Sequence, residues 1–202
     1  MKINVAVFAS GRGTNFQAIL QRSMESDAKY KIRMLVSDRK EATALQIAAN
    51  AGIENHFVDP KTFSGKKEYE EHLVELVRQS GCDLVCLAGY MRILGKTFLQ
   101  GWQKDVMNIH PSLLPSFKGL EAQQQALEYG VKYTGCTVHF VDEGMDTGAV
   151  IDQRVVPVFH TDDESSLSER IIIEEHQLYP ELVQLYARGK IRKNGRWVII
   201  RE

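Results

Sequence analysis

Asn108-Ile109-His110-Pro111 sets a carboxamide and an imidazole two residues apart at the end of an apolar run, and strand alternation puts both on one side. Each can donate a hydrogen bond to an oxygen that gains negative charge, which is what acyl or formyl transfer through a tetrahedral intermediate requires. Asp146 lies in the glycine-flanked stretch Asp142-Glu143-Gly144-Met145-Asp146-Thr147-Gly148, after the next long apolar run, where it could reach His110. A carboxylate there favours the imidazolium, so the expectation is a raised His110 pKa. No nucleophile is evident: Gly-x-Ser-x-Gly is missing and no cysteine neighbours a histidine. Direct transfer between two bound substrates is the simpler chemistry, although the same residues also suit an ordinary core Asn and His at a strand end.

A second constellation is the turn Ser10-Gly11-Arg12-Gly13 followed by Thr14 and Asn15. Glycines after a first strand let the backbone approach an anion, and free N–H groups at a helix start favour a phosphate. A dinucleotide fingerprint needs a third glycine where Phe16 stands, and the Gly-Lys-Ser/Thr of a Walker loop is absent. A phosphate monoester therefore fits better than a pyrophosphate, and a tight turn with no ligand stays open. Asp38, at the end of the second predicted strand, could hold a ribose hydroxyl in a nucleotide-binding module or in a nicotinamide-dependent oxidoreductase with a shortened fingerprint. Phe16 counts against that alternative.

The elements that must hold these groups alternate. Strands are expected at Ile3 to Ala9, Ile32 to Ser37, Glu54 to Val58, Leu84 to Ala88 and Val106 to His110. Helices are expected from Thr14 and Asn15, as caps, through Leu20, over Ala42 to Ala51, and from Lys66 to Ser80. Repeated β-α-β units with continuous apolar strands imply an α/β fold: an open, mainly parallel, Rossmann-like sheet with helices on both faces. After the loop Pro111 to Leu120 and a helix over Ala122 to Tyr129, Gly135 to Val141 and Ala149 to Val156 read as an antiparallel C-terminal extension. A helix from Asp163 to Arg188, kinked at Pro180, and an Asn194-Gly195 hairpin turn complete the chain.

With 202 residues, 1–202 is expected to be a single domain with a full core. A formal net charge of -1 without a basic block argues against nucleic acid as partner. No apolar stretch approaches the roughly 20 residues that span a bilayer, and no signal-peptide profile follows Met1, so a cytoplasmic protein without membrane partners is expected. Cys82 and Cys86 stand about 13 Å apart on an extended segment, too far for one ion, so they and Cys136 are expected to be reduced packing residues and no metal is expected. His56, His72 and His160 suit surface or element-end positions, and His139 either lines a pocket with Thr137 or supports the core. Trp102, Trp197 and the leucines of the last helix are expected to pack inside.

Five segments together carry a resemblance: Ser10 to Ile19, Leu87 to Leu94, Asn108 to Pro115, Val138 to Gly148, and Glu175-His176 with Tyr179-Pro180. In order and over essentially the whole chain, they resemble the folate-dependent phosphoribosylglycinamide formyltransferase family. The resemblance implies that 10-formyltetrahydrofolate, as co-substrate, gives its formyl group to the amine of glycinamide ribonucleotide in purine synthesis, with no covalent enzyme intermediate. It implies Asn108, His110 and Asp146 as the catalytic trio and Gly13, Thr14, Asn15 and Glu175 as ribonucleotide contacts. For folate it implies Lys66, Met91, Arg92, Ile93, Leu94 and Asn108, with Asp142, Glu143, Gly144, Met145 and Asp146. A monomer or homodimer is expected. Many relatives carry two histidines where this chain reads Lys118-Gly119-Leu120-Glu121-Ala122-Gln123, which argues against a catalytic role for that loop; Arg12 replaces a smaller polar residue. Formyl-methionyl-tRNA formyltransferases and formyltetrahydrofolate deformylases share the Asn-x-His-Pro signature, and the expected separation from them is length: here a strand begins at residue 3 and the chain ends soon after the last helix.

Overall fold

The computed structural model describes residues 1–201, which divide into two compact units, 1–107 and 108 onward. In the first unit, β1 (Ile3–Phe8), β2 (Tyr30–Ser37), β3 (Glu54–Phe57) and β4 (Leu84–Leu87) pair in parallel in the order β3-β2-β1-β4. Leu84, Val85, Cys86 and Leu87 are all buried although successive side chains point to opposite faces, so both faces of the sheet are covered there. The covering elements are α1 (Thr14–Ser23), α2 (Thr43–Asn50), α3 (Lys66–Gln79) and α4 (Lys96–Trp102). Phe16, Ile19 and Leu20 of α1, Ala44 and Ala48 of α2, and Tyr69, Leu73, Val74 and Val77 of α3 form the buried stripes expected at helical spacing.

The unit boundary falls inside β5 (Val106–His110), whose first two residues belong to one unit and last three to the other. The second unit adds α5 (Ala122–Tyr129), β6 (Tyr133–Phe140), β7 (Val150–Pro157), α6 (Glu164–Ala187) and the separate hairpin β8 (Ile191–Asn194) with β9 (Trp197–Ile200). β6 and β7 are antiparallel, and the seven-stranded order is β3-β2-β1-β4-β5-β6-β7. This is the mainly parallel α/β sheet with an antiparallel C-terminal extension that the strand spacing predicts. Asp163 caps α6 by accepting from the N–H of Ser166, whose hydroxyl answers the Asp163 N–H, a reciprocal capping box.

Several local expectations need correction. α1 starts from Gly13 in a left-handed conformation (φ 78°) with no side-chain cap, so Thr14 and Asn15 lie in the first turn instead of before it. α4 is absent from the sequence reading because it is only seven residues long and contains Gly101. Its start is satisfied from a distance: buried Glu70 accepts from the N–H groups of Gly95 at 2.6 Å and Phe98 at 3.1 Å. The long helix α6 is found where it is expected, as one element running through a buried Pro180. In the last hairpin Asn194 pairs with Trp197, so the two-residue turn is Gly195-Arg196, one position later than expected. Trp102 is buried, but Trp197 is 78% exposed and is no core residue. Cys82, Cys86 and Cys136 are all buried, and burial pushes the thiols of Cys82 and Cys136 up to about 12.

Candidate active site

In the second unit, the strand end of β5 delivers Asn108 half-buried and His110 only 5% exposed, while the loop after β6 delivers Asp146. Asp146 adopts a left-handed backbone (φ 52°), and the loop folds on itself through Asp142, whose Oδ1 accepts from the Gly144 N–H at 3.1 Å and the Thr147 hydroxyl at 2.6 Å. Gly148 closes the turn, where a Cβ would lie 1.6 Å from the Phe140 carbonyl oxygen. This local backbone chemistry sets the carboxylate of Asp146 3.5 Å from His110 Nδ1.

The cluster holds a fourth side chain. His139 gives its Nδ1 proton to the Phe140 carbonyl at 2.9 Å, which leaves Nε2 to accept from Asn108 Nδ2 at 3.1 Å; Asp146 Oδ1 lies 3.6 Å from the same Nε2. His139 is 2% exposed and reaches the polar cluster through Asn108 and Asp146. The Pro111 to Leu120 loop also contributes, through its backbone: Gly119 N–H donates to Asp146 Oδ2 at 2.8 Å, and Phe117 C=O accepts from His110 Nε2 at 2.8 Å. Backbone partners leave no mark in residue type, although Gly119 at φ +79° is a detectable sign of a special turn.

The electrostatics of His110 differ from the expectation. Burial holds its pKa below the ordinary imidazole range, although the Phe117 carbonyl and the Asp146 carboxylate both favour the cation and His139 opposes it. The expected upward shift counted the carboxylate and omitted desolvation at a nearly enclosed strand end. Burial also works against the Asp146 carboxylate, but the Gly119 N–H and the charge of His110 are among the causes that outweigh it and hold Asp146 below the usual carboxylate range. Glu175 lies buried on α6, and its charge is one cause of the raised Cys136 thiol.

In the first unit, the glycine turn is held by Ala44, which donates its N–H to the Gly11 carbonyl at 3.2 Å. A Cβ on Gly13 would meet Ala44 Cβ at 2.8 Å, so close backbone approach and positive φ both require glycine there. Thr14 and Asn15 are half-buried beside it, and Arg12 is exposed. Met91 and Ile93 are 54% and 55% exposed, whereas Leu94 is buried. The Arg92 guanidinium stands 5.4 Å from the centroid of the Tyr69 ring, and Lys66 Nζ lies 3.5 Å from Glu70. Asp38, the residue a dinucleotide reading would use for a ribose, faces inward to accept from the Ser10 hydroxyl. Among the described residues no group of three or more His, Cys, Asp or Glu could hold a metal ion, and no helix is long and apolar enough to cross a membrane.

Comparisons with known proteins agree on one family. The formyl transferase profile matches residues 3–183. The trifunctional purine biosynthetic protein adenosine-3 of Homo sapiens is 42% identical over 201 residues, 98% of this chain, which spans only 20% of that protein. Phosphoribosylglycinamide formyltransferase of Bacillus subtilis is 41% identical over 89% of this chain and 92% of its own length. The crystal structure of glycinamide ribonucleotide transformylase 1 from Symbiobacterium toebii is similar with a TM-score of 0.97 at 44% identity, covering 100% of this chain and 95% of that one.

Proposed function

The chain belongs to the formyl transferase family, and from that premise we infer that it transfers the formyl group of 10-formyltetrahydrofolate to the amine of glycinamide ribonucleotide, a step of purine biosynthesis. The observation that carries the chemistry is the convergence of Asn108, His110, His139 and Asp146 in one polar cluster. The sulfur nucleophiles are buried with Cys82 and Cys136 held as thiols, which supports direct attack of the amine on the formyl carbon.

In this reading the neutral amine adds to the formyl carbon and the oxygen becomes negative. One amide hydrogen of Asn108 goes to His139, and the other donates to that oxygen. His110 adds its Nε2–H by exchanging the Phe117 carbonyl for the oxyanion, and negative charge there raises its proton affinity against the effect of burial. Asp146, ionised, takes the proton that the attacking amine releases, shares it with Nδ1 of His110 while the oxyanion persists, and passes that same proton, directly or through water, to the folate nitrogen as its bond to the formyl carbon breaks. Gly13, Thr14 and Asn15 are assigned to the ribonucleotide phosphate and Glu175 to the ribose hydroxyls. Lys66, Met91 to Leu94, Asn108 and Asp142 to Asp146 are assigned to folate, with the flat ring recognised chiefly through backbone groups and the exposed faces of Met91 and Ile93. The protein is assigned to the cytoplasm, as a monomer or homodimer acting on these two small molecules, with 1–202 as one formyltransferase domain.

The test incubates the protein with 10-formyltetrahydrofolate, with and without glycinamide ribonucleotide. Formylated ribonucleotide that forms only in the complete mixture is the expected result. Release of formate at the same rate without acceptor would make the chain a deformylase instead.

A further inference from the structure

Asp38 directly follows β2, with its side chain 6% exposed. Its Oδ1 accepts the Ser10 hydroxyl hydrogen at 2.5 Å, and the Ser10 oxygen in turn accepts the N–H of Met91 at 2.8 Å. Ser10 also donates its own N–H to the Gly89 carbonyl at 3.1 Å, so one buried serine holds the chain on both sides of Tyr90. Asp38 Oδ2 lies 4.0 Å from Arg92 Nη1, the guanidinium stands over Tyr69, and the hydroxyls of Tyr69 and Tyr90 meet at 2.5 Å. At the other end of the same segment Glu70 holds the Gly95 N–H, with Lys66 beside it. Residues 91–94 are thus fastened at both ends while Met91 and Ile93 stay exposed between the fastenings.

A hydroxyl has one hydrogen and two lone pairs, and its rotor decides which way each faces. With its hydrogen committed to a buried carboxylate, the Ser10 oxygen can offer Met91 only a lone pair. A hydrogen bond to an ionised acceptor is also stronger than a neutral one, and it polarises the hydroxyl into a better acceptor. We propose that Ser10 and Asp38 are positioning residues for the folate-recognition segment, the carboxylate orienting the serine hydroxyl so that it fixes the Met91 N–H and the register in which residues 91–94 meet the cofactor. The proposal rests on the assignment of Met91 to Leu94 to folate. It also reassigns the Met91 N–H itself: that group is spent inside the protein and is not one the ligand uses.

Binding of a non-transferable folate analogue and of glycinamide ribonucleotide is measured by calorimetry on the full chain, with steady-state KM and kcat. Ser10→Ala is expected to weaken the folate analogue and raise the folate KM by about tenfold, with kcat at saturating folate and ribonucleotide binding within about twofold of wild type. Asp38→Asn, which keeps an acceptor for the hydroxyl, is expected to be milder than Asp38→Ala, which leaves the rotor free. Folate binding and KM unchanged in Ser10→Ala, or equal weakening of both ligands, overturns the positioning role. If Ser10→Ala does not fold, the two Asp38 variants decide by the same comparison, and equal effects of Asn and Ala overturn it. A wild type that binds no folate analogue overturns the folate assignment itself; a wild type that binds it while Ser10→Ala does so equally well overturns only the role of Ser10.

Discussion

Asn108 donates an amide hydrogen to Nε2 of His139 across 3.1 Å, and that contact decides which way the carboxamide faces. Because the Phe140 carbonyl keeps the His139 proton on Nδ1, the ring presents a lone pair to Asn108, and the amide cannot turn over without losing the bond. The second amide hydrogen is therefore aimed before any substrate arrives.

Replacing Asn108 with alanine removes that donor. Turnover is expected to fall about 100- to 1000-fold, as for loss of one oxyanion donor, while a folate analogue still binds. Rapid-quench measurement of formyl transfer checks this, and a loss under about threefold would take Asn108 out of the oxyanion role.

For His110 the expected direction follows from burial opposed by Asp146. Asp146→Asn removes the opposing charge, so the His110 pKa should drop further below the ordinary value of about 6.5. NMR titration of the ring in both proteins checks this; a pKa that rises or stays put contradicts the pairing.

The same shifts set the acid response of stability. A histidine with a lowered folded pKa takes up its proton more readily when unfolded, so full stability is kept above about 6.5 and is lost as pH falls below it. His176, lowered by burial, acts in the same window. Asp146, also lowered, lends stability that is present above about 3.9 and is lost as pH falls further. Melting temperatures should therefore fall from pH 7 to pH 5, and less steeply in a folded His110→Gln variant; an identical slope in the two proteins would argue against the His110 contribution.

Gly13 combines φ +78° with Ala44 at contact distance, so Gly13→Val should obstruct the phosphate turn and weaken glycinamide ribonucleotide strongly. Glu175→Ala is expected to cost about 1 to 3 kcal/mol of ribonucleotide binding, the range for hydrogen bonds to a charged group. Titration with the dephosphorylated riboside separates the two contacts. Wild type should bind it far less tightly than the ribonucleotide, and Gly13→Val should erase most of that difference; equal binding of both by wild type removes the turn from phosphate recognition.

Ile93 is 55% exposed, so a charge there need not disturb the core. Ile93→Asp should raise the Kd of a folate analogue and leave ribonucleotide binding nearly intact. Equal weakening of both would indicate a folding defect.

Much of this was legible in residue order. Apolar runs and glycine stops located β1 to β7 within a few residues, and alternation along Asn108-Ile109-His110 placed two site side chains on one side. What escaped the sequence were contacts made by groups that every residue carries, such as the Phe117 carbonyl and the Gly119 N–H, and a helix start satisfied by Glu70 from another element. The His110 shift escaped for a related reason: pattern reveals a charged neighbour, but the degree of burial emerges only when the chain is packed. Trp197 illustrates the converse, a large apolar side chain on a two-stranded hairpin that leaves it exposed.

The cysteines give the folded chain a silent chemistry. Cys82, Cys86 and Cys136 are at most 1% exposed, so an alkylating reagent in solution finds no sulfur to attack until the structure opens around one. Cys82 and Cys86 report on the unit built around β1 and β4, and Cys136 reports on the one built around β6. Mass-resolved labelling over time would thus act as a clock with two hands, counting openings of each unit separately and showing whether they come apart together or one at a time.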